Sequence, residues 1–174
     1  MRLIRMSLLA TALAVAPLAA AIVMPQAAMA QTTATPSPAA VAKGIQIVTN
    51  LHLYDLLVYG GRIGILKADE VAVLPQADKD RIVALFNEEM ANRRDTTIRH
   101  MSEANAGAYT SAQLDELLAL SKIKYVQDLV LAGGDASLAT PDENSMTATE
   151  RALFTRLMME PWVTDFFTKF DYST

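Results

Sequence analysis

The stretch that decides the fold runs from Ala108 to Ala132 and reads AYTSAQLDELLALSKIKYVQDLVLA. Thr110 is followed three residues later by Gln113, the spacing of a capping box, in which each side chain accepts a hydrogen bond from the other residue's backbone N–H. Apolar side chains then recur at helical spacing on one face: Leu114, Leu117, Leu118, Tyr125 and Leu129. Gly133-Gly134 predicts the helix end, because glycine adopts the left-handed C-cap conformation at little cost. We therefore predict one central helix, covered by other helices on two sides.

Two long segments before this helix are also predicted to be helical. Residues 39–59 are apolar around a full turn, which predicts a buried helix, broken near Thr49-Asn50. Residues 76–109 carry an apolar stripe at helical spacing, formed by Ile82, Phe86, Met90, Thr97, Met101, Ala104 and Ala108. Between them, residues 65–74 predict a short helix that ends at Pro75.

The last segment repeats the start signal of the central helix. Thr147 and Glu150 have the spacing of a second capping box. Pro161 removes one backbone donor and predicts a kink or a restart of the helix. Together these segments predict an all-α fold, a single helical bundle domain of about five helices over residues 39–174. A Thr-, Ser- and Pro-rich stretch, residues 31–38, is predicted to be a flexible leader in front of it.

Residues 1–30 have the composition of a secretory signal peptide. Arg2 and Arg5 supply the positive region, Met6 to Met24 the Ala- and Leu-rich apolar region, and Ala28-Met29-Ala30 a small-x-small cleavage site. The alternative is an N-terminal membrane anchor, which needs about 20 apolar residues. The weak hydrophobicity of the run and the site that follows it favour cleavage. The sequence therefore predicts export to a bacterial periplasm.

Charge and cysteine content restrict the classes of function. The chain has a net charge of −4, and loss of Arg2 and Arg5 with a signal peptide makes the rest more acidic. That acidity argues against nucleic-acid binding, which needs a basic surface. The chain has no cysteine, which excludes disulfides, thiol nucleophiles and cysteine-based zinc sites. No apolar run after the signal peptide predicts a transmembrane segment.

The two histidines are each followed by a carboxylate three residues later, as His52-x-x-Asp55 and His100-x-x-Glu103. On helices each pair projects from one face, and two such helices could meet around a metal ion, as related pairs do in di-iron bundles. These four residues are therefore the candidate metal ligands. The alternative is that both histidines lie on helix surfaces or form local hydrogen bonds.

Two other residue sets allow a functional and a structural interpretation. Glu89, Arg93, His100 and Glu103 form a polar line, which predicts either acid–base or carboxylate-binding machinery or an exposed salt-bridge face. Met158-Met159 and the aromatic residues around it predict either an adaptable groove for a hydrophobic peptide or lipid, or core packing. Such an apolar face could also be covered in a homodimer.

The segment YTSAQLDELLAL, from Tyr109 to Leu120, resembles a family of Gram-negative exported helical proteins, catalogued as the domain of unknown function twenty fifty-nine. The first half of the family pattern is matched by Tyr109, Thr110, Leu114, Leu117 and Leu118. In the second half, Leu120-Ser121 stands where the family has an aromatic pair, and Ile123, Lys124 and Val126 replace its Ser, Pro and Gly. The resemblance implies an all-helical periplasmic domain and no cofactor or site residues.

No constellation of catalytic residues stands out, and there is no G-x-S-x-G motif around a serine. The sequence therefore predicts a non-enzymatic exported binding or interaction protein, whose partner is a hydrophobic peptide, a lipid or a protein, with no bound cofactor. The alternative is a metal-binding or hydrolytic protein that uses the His/carboxylate pairs.

Overall fold

The computed structural model describes residues 35–169, and every regular element in this part of the chain is helical. The helices are α1 (Pro38–Asn50), α2 (Leu53–Lys67), α3 (Asp69–Ala72), α4 (Gln76–Asn92), α5 (Arg94–Ala108), α6 (Ser111–Ser121), α7 (Lys124–Gly134), α8 (Ala148–Met158) and α9 (Pro161–Thr168), with a 3₁₀ turn at Glu143–Ser145. The predicted all-α class is confirmed. The predicted signal peptide (1–30) and the first half of the predicted leader, residues 31–34, lie outside the described residues, and Pro38 at the end of the leader is the first residue of α1.

The described helices are shorter and more numerous than predicted, because each long segment is divided in two. The breaks lie at Leu51-His52, Arg93, Lys122-Ile123 and Met159-Glu160. The first agrees with the predicted interruption near Thr49-Asn50, and His52 there has a left-handed backbone with φ 55°. The last confirms the predicted restart, since α8 ends and Pro161 becomes the first residue of α9, where no backbone donor is needed.

Helix α1 lies at the centre of the fold, packed most extensively against α5 and α6. Its Ile47 and Val48 are fully buried, and they join the leucines of α6 and the aromatic residues of α9 in one core. Helix α6 also contacts α8, which confirms that the predicted central segment is covered from two sides. One ion pair joins the helices at each contact: Lys43 of α1 with Asp115 of α6 at 2.5 Å, and Arg156 of α8 with Glu116 of α6 at 2.8 Å.

The prediction of one continuous helix over 108–132 is wrong, because the chain breaks between α6 and α7. Ile123 is extended, and the Gln127 side chain donates to the Ser121 carbonyl at 2.9 Å. The Ser121 hydroxyl donates to the Leu118 carbonyl at 2.9 Å and accepts from the Asn50 amide at 3.1 Å. Carbonyl groups at the end of α6 are thus satisfied by side chains as well as by the backbone.

The prediction that glycine ends this segment in a left-handed conformation is also wrong. Helix α7 includes Gly133 and Gly134 and ends at the extended residue Asp135, and no described glycine has a positive φ. A Cβ atom at Gly134 would lie 2.5 Å from the Leu56 side chain. A Cβ atom at this position would therefore displace the end of the Leu56 side chain where α7 contacts α2.

Helix α5 buries a different face from the predicted stripe. Ala104 and Ala108 are exposed, while the buried residues are Ile98, Ser102, Asn105 and Ala106. The reason is the close contact with α1, where a Cβ atom at Gly44 would lie 2.7 Å from the Ser102 carbonyl oxygen. Only a small side chain fits at Ser102, and its hydroxyl donates to the Ile98 carbonyl at 2.6 Å.

Both predicted capping boxes are present. The Thr110 hydroxyl accepts from the Gln113 backbone N–H, and the Gln113 side chain accepts from the Thr110 N–H. Thr147 and Glu150 make the same reciprocal pair at the start of α8. Among the described helices, none combines the length and the apolar character that crossing a bilayer requires.

Candidate functional site

The structure brings the first predicted His/carboxylate pair together. His52 Nδ1 lies 3.3 Å from Asp55 Oδ2, with both side chains about half exposed. Asp55 is in the first turn of α2, where a carboxylate interacts favourably with the helix dipole. The pair therefore joins the α1–α2 turn to the start of α2.

The second predicted pair is not formed in the same way. His100 is exposed on α5, and Glu103 pairs with Arg99, with Nε and Oε1 2.8 Å apart. Across residues 35–169, no three or more His, Asp or Glu side chains are grouped so that they could hold a metal ion. A metal site at His52, Asp55, His100 and Glu103 stays a prediction. Glu89 is paired with Arg93, which favours the salt-bridge interpretation of the polar line.

A cleft of about 390 Å³ lies between α2, the junction of α4 and α5, the end of α7 and the loop that follows α7. We call it the arginine-rimmed cleft. Its lining consists of Tyr54, Asp55, Leu56, Val58, Tyr59, Arg62, Asn87, Met90, Ala91, Arg94, Leu131 and Leu138. The volume is within the range of roughly 300–1,000 Å³ that is usual for small-molecule sites.

Two residues of this lining, Leu56 and Tyr54, are held by the packing of the core. Leu56 is buried, and Tyr54 is 7 % exposed with its hydroxyl donating to the Met90 carbonyl at 2.5 Å. That carbonyl belongs to the last turn of α4, where acceptors lack partners within the helix. Burial raises the pKa of Tyr54, so its hydroxyl stays protonated and remains a donor at neutral pH. The Tyr54 ring is thus fixed as one wall.

Two arginines stand at the rim. The guanidinium carbon of Arg94 lies 5.2 Å from the centroid of the Tyr54 ring, a cation–π distance. Arg62 is exposed on α2, two turns after Tyr54. Within residues 35–169, neither arginine forms an ion pair with a carboxylate. The carboxylate in the lining, Asp55, is directed to His52. The rim therefore presents unpaired positive charge on an acidic protein.

The loop after α7 is held to the cleft by one hydrogen bond. The Tyr59 hydroxyl donates to Asp135 Oδ2, and the Ser137 backbone N–H donates to Asp135 Oδ1 at 2.7 Å. These bonds lower the pKa of Asp135 from 3.8 to about 2, and the bond to Asp135 raises the pKa of Tyr59. Leu138 follows in the same turn and reaches the cleft while 43 % exposed. Tyr59 and Asp135 thus fasten the loop at the cleft.

We expect Tyr59→Phe to destabilise the protein at pH 7 and to have a smaller effect as the pH falls. The pKa of Asp135 is lower in the folded chain than its ordinary value, so its stabilisation is complete above pH 4 and is lost toward pH 2. Urea unfolding of both proteins at several pH values measures the difference. Tyr125→Phe is the control, since the Tyr125 ring packs on Phe154 and its hydroxyl has no hydrogen bond to a described residue. An effect that does not change with pH would contradict the assignment.

A second concavity, the aromatic groove, has a volume of about 410 Å³ and lies between α7, α8 and α9. It is lined by Val126, Leu129, Val130, Gly133, Gly134, Phe154, Met158, Thr164, Phe167 and Thr168. Met158 therefore lies where the groove interpretation places it, whereas Met159 is 81 % exposed outside this lining. Phe166 is fully buried in the core. The last two helices thus divide their aromatic side chains between a groove and the core.

Sequence reasoning did not select the tyrosines and arginines of the arginine-rimmed cleft. The available signal was the spacing of Tyr54, Val58 and Arg62, which recur every four residues on one face of a segment that is otherwise apolar. Arg94 had no comparable signal, because its position over Tyr54 depends on how α5 packs.

No family model, curated protein or solved structure matches this chain. The resemblance of residues 109–120 to the domain of unknown function twenty fifty-nine stays a prediction.

Proposed function

We propose that this is an exported, non-enzymatic helical binding protein that holds a small apolar ligand in the arginine-rimmed cleft. The observation that carries the proposal is the cleft itself, an apolar concavity with a few fixed polar groups on its rim. Small-molecule sites combine these two features, since apolar surface supplies affinity and the polar groups supply orientation. A lipid or a hydrophobic peptide segment has the matching chemistry.

The aromatic groove supports the proposal less well. Its polar side chains are Thr164 and Thr168, and the Thr168 hydroxyl is bonded to carbonyls of its own helix at 3.0 and 3.2 Å. No charged side chain is part of its described lining. It offers a ligand apolar contact but no group to orient it, so the arginine-rimmed cleft is the better candidate.

The cleft also favours binding over catalysis. Its described lining contains no His, Ser or Thr, so a hydroxyl nucleophile activated by a histidine is not formed within it. The two tyrosine hydroxyls in it are already bonded, one to a backbone carbonyl and one to Asp135. The remaining groups can hold and orient a ligand.

We expect Ala91→Phe to weaken ligand binding about tenfold or more. Ala91 lines the cleft from an exposed position on α4, so a phenyl group can occupy the ligand space without entering the core. An apolar group of side-chain size gains about 1.5–3 kcal/mol on burial, and 1.4 kcal/mol corresponds to a factor of ten. Calorimetric titration with decanoate, a lysophospholipid and a hydrophobic peptide measures the affinities.

The matched control is Ala119→Phe, which adds the same group at an exposed position on α6 that does not line the cleft. A ligand at a hundredfold excess over its Kd should stabilise the unchanged protein by about 2.7 kcal/mol, which thermal unfolding detects. Equal loss of binding in both variants would place the ligand elsewhere. No binding by any of the three probes would contradict the proposed function.

A further inference from the structure

We infer that the ligand of the arginine-rimmed cleft is an amphiphile with one apolar chain and a carboxylate head, and that Arg94 and Arg62 bind the head. This inference rests on the proposed function and specifies the class of ligand for the same site. In this inference the apolar chain contacts Leu56, Met90 and Leu131 of the lining, and the head contacts the two arginines.

The first observation is that neither arginine of the cleft is paired with a carboxylate of the described chain. Arg93, Arg99, Arg151 and Arg156 are each paired with a glutamate. In the described part of the chain, Arg62 and Arg94 have no such pair, although the sequence has more acidic than basic residues. Two unpaired guanidinium groups beside an apolar cleft complement a ligand that is apolar along its length and negative at one end.

The second observation is that Arg94 is held in place. Its guanidinium lies over the Tyr54 ring, and that ring is fixed by the bond from its hydroxyl to the Met90 carbonyl. An arginine positioned in this way loses less conformational freedom when it binds. The planar guanidinium can donate two parallel hydrogen bonds to a carboxylate, which a neutral head group cannot accept with equal strength.

The third observation concerns the charge of the head. Asp55 also lines the cleft, and its carboxylate is 3.3 Å from His52. The charged residues of the described lining, Arg62, Arg94 and Asp55, together carry one formal positive charge, and Asp135 lies just outside this lining, bonded to Tyr59. That balance matches a monoanion such as a carboxylate better than a phosphate monoester, and it disfavours a cationic head.

The test compares ligands that share a chain and differ in the head. We expect decanoate to bind the purified protein about tenfold more tightly than decanol, because a charged hydrogen-bonded contact contributes about that factor or more. Decyltrimethylammonium should bind more weakly than decanol. Decanoate affinity should fall with added salt, whereas decanol affinity should change little, since salt screens only the charged contact.

Arg94→Gln should reduce decanoate binding about tenfold and leave decanol binding nearly unchanged. Arg81→Gln is the matched control, because Arg81 is an exposed arginine on α4, also without an ion pair to a described residue, and it does not line the cleft. Arg62→Gln provides a second test of the rim if Arg94→Gln does not fold.

Equal affinity for decanoate and decanol would overturn the inference about the head. If Ala91→Phe still abolished the binding of both decanoate and decanol, the proposed binding function would stand without the assignment of the head group. Tighter binding of decyl phosphate than of decanoate would overturn the assignment to a carboxylate. An equal loss of decanoate affinity in Arg81→Gln and Arg94→Gln would show a general charge effect, and would also overturn it.

Discussion

Phe166→Ala is expected to lower the free energy of unfolding by about 3–5 kcal/mol, the cost of removing a buried aromatic side chain and leaving a cavity. Phe166 is fully buried in α9. Its ring centroid lies 5.8 Å from that of Tyr109 and 5.2 Å from that of Phe167, both in edge-to-face geometry. Such pairs contribute about 0.5–1.5 kcal/mol beyond their buried area. The substitution therefore removes one of the ring contacts between α9 and Tyr109, the residue that follows α5.

Urea unfolding measures this effect, and Trp162 provides a local signal. Trp162 is the sole tryptophan of the chain, and its ring lies 6.1 Å from that of Tyr109. Its fluorescence should therefore change if α9 separates from Tyr109. Met159→Ala is the control, since Met159 is 81 % exposed and its removal should change stability by less than about 0.5 kcal/mol. A loss of less than about 1 kcal/mol for Phe166→Ala would contradict its role in the core.

The features that could be predicted from sequence depend on neighbouring residues. Both capping boxes and the restart at Pro161 are present in the structure because their geometry is set within one turn of helix. The fold class follows from helical periodicity in the same way. Features that are determined by residues within one or two helical turns could therefore be predicted from the sequence.

The break at Lys122-Ile123 could not be predicted, because it depends on contacts between distant residues. Asn50 in α1 donates to the Ser121 hydroxyl, 71 positions further along the chain. Leu129 was predicted to lie on a covered face and is 39 % exposed, because the break shifts the helical phase. Ser102 is buried instead of Met101 for the same kind of reason, because α1 packs closely against α5 at Gly44.

The candidate site was the least predictable part. The arginine-rimmed cleft combines residues of α2, α4, α5, α7 and the loop after α7. Sequence spacing can place Tyr54 and Arg62 on one face of a helix, but it cannot bring Arg94 over Tyr54. The His/carboxylate pairs were more visible in the sequence, because histidine is rare here and each pair is local. The sequence patterns therefore pointed to the exposed His/carboxylate pairs and not to the arginine-rimmed cleft.

Gly44→Ala should destabilise the protein although the same change stabilises most helices. Replacing glycine by alanine within a helix gains about 0.5–1 kcal/mol. At Gly44 the added Cβ would lie 2.7 Å from the Ser102 carbonyl oxygen and 3.0 Å from the Ser102 Cα atom. These atoms belong to the backbone of α5, so the two helices must move apart, and such overpacking costs about 1–3 kcal/mol. We expect a net loss of stability.

Gly64→Ala is the matched control, because Gly64 lies within α2 and no atom would be within 4 Å of the added Cβ. It should stabilise the protein by about 0.5–1 kcal/mol, so the two substitutions should have opposite signs. Urea unfolding of both variants decides the question, because helix propensity contributes equally to each and only the contact with Ser102 differs. If Gly44→Ala were as stabilising as Gly64→Ala, α1 and α5 would not be packed as closely as the structure has them. A destabilised Gly44→Ala beside a stabilised Gly64→Ala would show that α1 packs closely on the α5 backbone at Ser102, as the structure has it.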